Sequence, residues 1–255
     1  MRFRVQSYRP SDSAKALANY LSITRLSSIG SRFRGTPSDI IINWGNVRQI
    51  HNSTYLNPLD AVKAAANKLT TFRLLEAASV SIPPYFTSLD QLDADTTYVA
   101  RTTLTGHSGE GIIVGTPSEL PPAPLYTTFL RKKYEYRAIV VGNRVVDIKQ
   151  KLRRQDFEGE RSAHVWNHSN GFVYARNDII IPDALPQLAI DATHALGLTY
   201  GAVDIINHRG ILYVLEVNTA FGLEGTTTQL VGDAIHSHIE ETYNVTLPSR
   251  PTSTH

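Results

Sequence analysis

Gly201-Ala-Val-Asp204-Ile-Ile-Asn-His-Arg-Gly210-Ile-Leu-Tyr-Val-Leu-Glu216-Val-Asn218 decides the reading of this chain. Two aliphatic runs flank a short polar turn, the pattern of a β-hairpin. Glu216 and Asn218 lie two apart on the second strand and share a face, while Leu215 and Val217 belong on the other. Asp204 sits on the first strand, and its face depends on the turn. If residue 206 opposes 212, then 204 opposes 214, 216 opposes 202, and all three polar side chains point one way. That register needs an odd-length loop and is the expected one. A four-residue turn would send Asp204 to the opposite face unless a bulge intervenes. Two carboxylates and an amide oxygen form a hard, all-oxygen set suited to Mg²⁺ (or Mn²⁺), with nucleotide phosphates completing the shell. The polar outer face of an edge hairpin would carry the same residues, so the rest of the chain must decide.

Upstream, Tyr134-Glu-Tyr-Arg137 leads into a strand to Val141, and a second strand, Arg144 to Lys149, follows the Gly142-Asn143 turn. A guanidinium at 137 suits a transferring phosphoryl group or a substrate carboxylate; a surface ion pair with Glu135 is the plain alternative. Still earlier, Tyr98-Val-Ala-Arg101 runs into Thr105-Gly-His-Ser-Gly-Glu-Gly111 and then Ile112-Ile-Val114. Glycines between two strands let backbone amides approach phosphates. No helix follows, so the loop is neither a P-loop nor a dinucleotide fingerprint. Arg101 stands just before it as a cation for α- and β-phosphates. Lys68 lies in a helical stretch, where a solvated lysine is the default. His107 and the other histidines show no ligand spacing, and Trp44 and Trp166 read as packing residues.

Around these motifs the pattern is α/β. Phe3 and Val5 suggest a first strand, Ser13 to Leu21 a short amphipathic helix, and Asp39 to Asn43 a buried strand ending in the turn-rich Trp44-Gly45-Asn46. Asn57-Pro58 reads as an N-cap followed by proline at the first helical position. The helix runs to Ala78 with a break near Asn67, its stripe being Ala65, Leu69, Phe72 and Leu75. Residues 125–130 read as a strand and 152–172 as a mobile loop. Ala184–Leu196 is a helix stopped by Gly197; after the hairpin comes a loop to about Gln229 and a last helix to Tyr243. Pro248 to His255 has the composition of a flexible tail.

With 255 residues, 42% apolar and 19% charged, the chain has the composition of a globular protein. It has no Cys, which excludes disulfides, thiolate metal sites and a cysteine nucleophile. No apolar run approaches the roughly 20 residues that span a bilayer, and the N-terminus lacks a signal-peptide core, so a cytoplasmic location and no membrane partner are expected. A net charge of +2 argues against nucleic acid, although basic residues cluster at Arg131-Lys132-Lys133 and from Lys149 to Arg154.

In this order the pieces resemble the ATP-grasp superfamily, and most closely its RimK-like carboxylate–amine ligases, over roughly residues 60–243. Asn67-Lys68 and Leu74 to Pro83 are similar to the family helix that begins with a nucleotide-contacting lysine. Val99-Ala-Arg101 is similar to the strand that normally carries lysine before the phosphate-covering loop; here arginine replaces it. Thr127-Thr-Phe-Leu130 occupies the hinge, where adenine bonds to main-chain groups, without the glutamate often found near 128. Tyr136 to Gly142 is similar to the arginine strand, Asn167 and Gly171 match the following loop, and Ala195 to Asp204 with Leu215 to Asn218 match the metal-binding hairpin. Gly222 to Gly225 matches the loop after it, with Phe221 where proline is usual.

The resemblance implies an α/β (α+β) ATP-grasp fold in which two lobes clasp ATP: an N-terminal lobe over 1–56, a small lobe over 57–126, a large lobe over 127–246 and a tail over 247–255. It implies ATP contacts from Lys68, Arg101, Gly106, His107, Ser108, Gly109, Gly111, Thr128, Phe129 and Leu130. It also implies a cation at Asp204, Glu216 and Asn218, and catalysis by Arg137 helped by Lys149 or Arg153. A small-molecule, peptide or protein carboxylate would be phosphorylated and then joined to an amine, with part of the acceptor site at the Trp44-Gly45 loop and possible homo-oligomers. Two other readings stay open: a non-catalytic ATP-binding module, which Arg101 and the missing hinge glutamate permit, and a nucleic-acid binder using the basic clusters.

Overall fold

The computed structural model describes residues 1–26, 31–49, 52–105, 110–154, 156–157 and 171–245. Strands β1 (Phe3–Ser7), β2 (Thr24–Leu26), β3 (Ile40–Trp44) and β4 (Thr54–Leu56) form a parallel sheet in the order β2-β1-β3-β4. Helix α1 (Asp12–Tyr20) links β1 to β2 and starts where the Ser11 hydroxyl accepts from the Ala14 amide at 3.2 Å. Its Ala14, Leu17 and Ala18 pack on Val5, Ile40 and Ile42.

Asp39 anchors this sheet. Its side chain is 2% exposed and accepts from the Arg2 amide and guanidinium and from Thr36. The Arg2 hydrogen bond is the largest influence holding its carboxyl well below the usual carboxylate range. A depressed carboxylate stabilises above its unfolded pKa, near 4, and loses that contribution as pH falls. Asp39→Asn is therefore expected to cost about 1–2 kcal/mol at neutral pH, discounted for the half-exposed Arg2. The difference from wild type should shrink as urea midpoints are followed from pH 5 down to pH 2.

Helices α2 (Leu59–Ala66) and α3 (Lys68–Ala77) break at Asn67, whose side chain caps α3 by accepting from the Thr70 amide at 3.0 Å. The break shifts the phase of the buried stripe: Leu69 is only half-buried, and Lys68, Thr71, Phe72 and Leu75 take the inner face. Asn57 is not the N-cap of α2; Pro58 holds that position. Asn57 has φ +61° and is fully buried, with its side chain bound to Thr199 and Tyr200.

A second sheet, antiparallel in the order β5-β8-β6-β7, comprises β5 (Tyr85–Phe86), β6 (Tyr98–Arg101), β7 (Ile112–Gly115) and β8 (Leu125–Thr128). The third is antiparallel in the order β11-β10-β9-β12-β13: β9 (Tyr134–Val141), β10 (Arg144–Arg153), β11 (Phe172–Ala175), β12 (Tyr200–His208) and β13 (Ile211–Asn218). Helix α4 (Leu185–Ala195) covers its back; α5 (Thr226–Tyr243) packs against its front and α1. Strand β10 extends past Lys149 to Arg153, and α5 begins at Thr226 rather than after Gln229. Of the expected loop over 152–172, residues 155 and 158–170 lie outside the described residues, as does the expected tail.

Alternation along the third sheet divides its work. Tyr136, Ala138, Val140, Val203, Ile205 and Val214 face α4 in one core. On the other face, Ile139, Val141, Tyr200 and Ala202 pack with Trp44, Phe221 and α5 in a core shared with the N-terminal sheet. Trp44 is 1% exposed and stacks 5.7 Å from Tyr200, so it is a packing residue as expected. Gly45 is too close to Ala220 for any side chain: a Cβ there would lie 2.7 Å from that of Ala220. Neither Trp44 nor Gly45, expected at the acceptor site, lines the cleft described below. The same sheet face, beyond Ile139 and Ala202, carries the polar side chains described next.

Candidate active site

The hairpin turn is even, not odd. His208 pairs with Ile211 across Arg209-Gly210, both at positive φ, the geometry of a tight hairpin turn. With that turn alone Asp204 would pair with Leu215, and Glu216 and Asn218 would emerge on the opposite face, toward α4. A bulge at Leu215 restores convergence: Ile205 pairs with Val214, but Asp204 pairs with Glu216 and Ala202 with Asn218. The extra residue turns Leu215 toward the cleft, contrary to the expected alternation, while Val217 stays in the core. Asp204, Glu216 and Asn218 thus share one face by a different route from the expected one.

The three heads meet closely. The Asn218 amide donates to Glu216 Oε1 at 3.0 Å and lies 3.5 Å from Asp204 Oδ2. Turning that amide over presents its oxygen, giving three oxygens around one point, a set that fits Mg²⁺. Among the described residues no cluster of three or more His, Cys, Asp or Glu forms, because the third donor is an amide. Each carboxylate is held by a remote cation. Arg137, directly across from Asp204, binds it bidentately at 2.7 and 2.7 Å. Lys68 reaches Glu216 Oε2 at 2.5 Å. Burial pushes the Asp204 carboxyl up against the pull of Arg137. For Glu216 burial is outweighed by Lys68, which holds it far below the usual range. Lys68 is therefore no solvated lysine but a buried part of the site.

These groups floor a cleft of about 770 Å³ between the second and third sheets. From the second sheet come Val99, Arg101, Ile112, Val114 and Thr127; Thr128, Phe129 and Leu130 line the hinge. The Thr128 and Phe129 amides are spent on the Pro84 and Thr97 carbonyls, each at 2.9 Å. Arg101 is largely buried, its Nε has no partner, and burial lowers its pKa. An unpaired guanidinium nitrogen inside a cleft is a strong invitation to an anion. The glycine loop is tied to the site through the Lys68 amide, which donates to Leu104 O at 2.9 Å. Gly111 sits at φ +70° beside Thr103, while Gly106, His107, Ser108 and Gly109 lie outside the described residues, as do Trp166 and Asn167.

Lys149 pairs across strands with Arg137 and lines the cleft. It donates to the Thr227 hydroxyl at 2.6 Å, and burial lowers its pKa. Arg153 is exposed and lies off the cleft wall, in an adjoining groove. Arg137 and Glu135 do not pair as the plain reading had it: Glu135 accepts from Lys132 at 2.6 Å and from Lys151, while Arg137 goes to Asp204. Three participants were missed in the sequence. Asp147 is buried and accepts from Arg176 at 2.8 and 2.8 Å; Arg176 also donates to Thr227, and the Tyr174 ring lies 4.9 Å from the Arg137 guanidinium. Asp147 is the one signal legible beforehand, an acidic residue between Val146 and Ile148 and two before Lys149.

Residues 126–241 match the family described as RimK-like ATP-grasp domain. A "Probable alpha-L-glutamate ligase" of Xylella fastidiosa is 29% identical over 211 residues, 72% of this chain and 66% of the relative. The match thus spans just under two thirds of that relative's length. Among solved structures, a RimK domain ATP-grasp protein from Sphaerobacter thermophilus superposes with a TM-score of 0.64 at 13% identity, covering 92% of this chain and 99% of its own. D-alanine–D-alanine ligase from Bacillus anthracis gives 0.64 at 12% identity, covering 96% and 99%. No described helix is long and apolar enough to cross a membrane. With its two facing sheets and its bulged Asp204–Glu216–Asn218 hairpin, the chain has the fold of the ATP-grasp structures it superposes on, and its residues 126–241 match the RimK-like ATP-grasp domain.

Proposed function

We propose that this protein is an ATP-dependent carboxylate–amine ligase that works through an acyl phosphate. The observation that carries this reading is the meeting of Asp204, Glu216 and Asn218 with Arg137, Lys68 and Arg101 in one cleft between two sheets. Phosphoryl transfer needs charge compensation and alignment rather than a protein nucleophile, and the cleft offers cations without a cysteine or a catalytic triad.

ATP lies with its base at the hinge of Thr128, Phe129 and Leu130 and its phosphates beneath the glycine loop. Arg101 and Lys68 bind phosphate oxygens, and Lys68 turns from Glu216 to do so. A Mg²⁺ ion held by Asp204, Glu216 and Asn218 supplies charge neutralisation at the phosphates. One oxygen of the substrate carboxylate attacks the γ-phosphorus as the bond to the β-phosphate oxygen breaks, giving the acyl phosphate and ADP. The amine nitrogen then adds to the acyl carbon, the C–O bond to phosphate breaks, and the amine loses a proton. Arg137, released from Asp204, stabilises the transferring phosphoryl group and the tetrahedral oxyanion, with Lys149 beside it. Walls of Val99, Ile112, Val114 and Leu215 keep water from the intermediate. The relative's name supports an amino-acid amine acceptor, with the carboxylate on an amino acid, peptide or protein terminus.

The test is an ADP-release screen over amino-acid and peptide pairs, with products weighed by mass spectrometry. Using a carboxylate labelled with ¹⁸O, one labelled oxygen is expected in the released phosphate for each amide formed. Amide formation with unlabelled phosphate would reject the acyl phosphate. Tight ATP binding with no ADP release from any pair would favour the non-catalytic module instead.

A further inference from the structure

Across the third sheet, Lys149, Arg137, Asp204 and Glu216 stand in one row, each directly opposite the next on β10, β9, β12 and β13. Their charges run plus, plus, minus, minus. Arg137 is matched by Asp204, and Glu216 by Lys68. Lys149 has only another cation opposite it, and like charges across a strand pair repel. Left to itself, its flexible side chain would turn away from Arg137.

Asp147 holds it in place. A bulge at Val146 brings this carboxylate to the right face: Val145 pairs with Val140, but Asp147 pairs with Ile139. Without the extra residue Asp147 would oppose Ala138 and Lys149 would oppose Tyr136, both toward α4. The buried Asp147 takes Arg176 bidentately at 2.8 and 2.8 Å, accepts from the Thr227 hydroxyl at 3.2 Å and lies 3.5 Å from the Lys149 ammonium. Thr227, in the first turn of α5, joins the three. Lys149 donates to its oxygen at 2.6 Å, and Arg176 donates to it as well. Both cations can only donate, so the hydroxyl has both lone pairs filled and its proton left for Asp147. Without the carboxylate's charge, two cations would share one neutral oxygen, and their repulsion would part them.

We propose that Asp147 is a positioning residue: through Thr227 and Arg176 it fixes the Lys149 ammonium beside the Arg137 guanidinium, so that both cations face the phosphoryl group in transit. Lys149, Arg176 and Thr227 line the cleft, whereas Asp147 stands behind them and acts only through them. The inference rests on the ligase reading.

The test is a double-mutant cycle on kcat, with saturating ATP and the substrate pair that releases ADP fastest. Asp147→Asn is expected to lower kcat about tenfold and to leave KM for ATP within about twofold, because base and phosphates bind elsewhere in the cleft. In a Lys149→Met background the same substitution is expected to change kcat less than about twofold, since no ammonium is left to position. A loss of about tenfold in both backgrounds marks a structural role and would overturn the proposal, as would an unchanged kcat for Asp147→Asn alone. Thr227→Val, of similar shape but without the hydroxyl, is a second route should Asp147→Asn not fold. It is expected to lose about tenfold in kcat, and Thr227→Ser to recover to within about threefold of wild type; equal values for the two would count against the proposal just as firmly. ADP release with additive losses removes the positioning role and leaves the ligase. ADP release from no pair removes the ligase reading and the positioning role with it.

Discussion

Asp204→Asn combined with Glu216→Gln is expected to lower kcat/KM for substrate-dependent ADP release by at least about a thousandfold. The cause is electrostatic. The cleft carries seven basic side chains, Lys68, Arg101, Lys132, Arg137, Lys149, Lys151 and Arg176, against five acidic ones, Glu110, Glu135, Asp204, Glu216 and Glu224. A cationic site attracts the triphosphate but repels a free divalent cation unless anionic ligands are concentrated at one point. On the proposed function, Asp204 and Glu216 are that point. Isosteric amides keep the shape and remove both charges, and losing a catalytic divalent ion costs several kcal/mol of transition-state stabilisation, with each 1.4 kcal/mol worth a factor of about ten.

The two single variants should differ in a second way. Asp204→Asn leaves the buried Arg137 without its bidentate partner, whereas Glu216→Gln strands Lys68. Removing one member of a buried pair costs about 3 kcal/mol, so each lowers the melting temperature in the absence of nucleotide. Activity must therefore be measured well below the midpoint, beside a Mg²⁺ titration. Activity in the double variant within tenfold of wild type would end the assignment of these residues.

Asn57→Ala should be the most damaging single change to stability outside the cleft, by about 3–5 kcal/mol. β13 ends at Asn218 opposite Ala202, so Tyr200 on β12 has no strand neighbour on that side. The Asn57 carboxamide stands in for one. Its oxygen accepts from the Thr199 and Tyr200 amides at 2.7 and 3.0 Å, and its nitrogen donates to Tyr200 O at 2.8 Å. The Asn57 carbonyl in turn accepts from the Asn43 side chain at 2.9 Å, and Tyr200 donates its hydroxyl to Asn43 O at 2.6 Å. Alanine leaves the buried Tyr200 N–H and C=O and the part-buried Thr199 N–H unpaired, together costing about 2–4 kcal/mol, and must hold a left-handed φ that costs about 1 kcal/mol more. Asn57→Gly removes the second penalty only, so it should recover about 1 kcal/mol of the loss. Urea denaturation of the three proteins measures this. A loss under about 1 kcal/mol in the alanine variant would show that Asn57 is not the joint between N-terminal and large lobes.

Much of this protein is written locally. The 3.6- and 2-residue periods place α1, α4, β3, β9 and β12, and Gly142, Gly197 and Gly210 mark their turns. Residue type and spacing alone single out Asp204, Glu216 and Asn218, because hard oxygen donors in an aliphatic hairpin need a reason to be there. The face on which Asp204 emerges is another matter. An even turn and a bulge at Leu215 both alter the parity of the strand, and only their combination returns the three groups to one side. Nothing within five residues of Leu215 announces a bulge.

Charge pairing lies further beyond local reach. Arg137 and Asp204 are 67 residues apart and Lys68 and Glu216 are 148 apart; strand order decides that they meet. A charge next to Arg137 in sequence, Glu135, lies along the same strand yet is claimed by two lysines. The sequence by itself determined which polar and charged side chains each strand and helix carries, since side-chain type and period are properties of short segments. Tertiary structure alone decided which cation neutralises which carboxylate, that Asn57 is a joint rather than a cap, and that Arg153 faces a groove. Those outcomes depend on sheet register and on which charges desolvation forces together, and both are set by the whole chain at once.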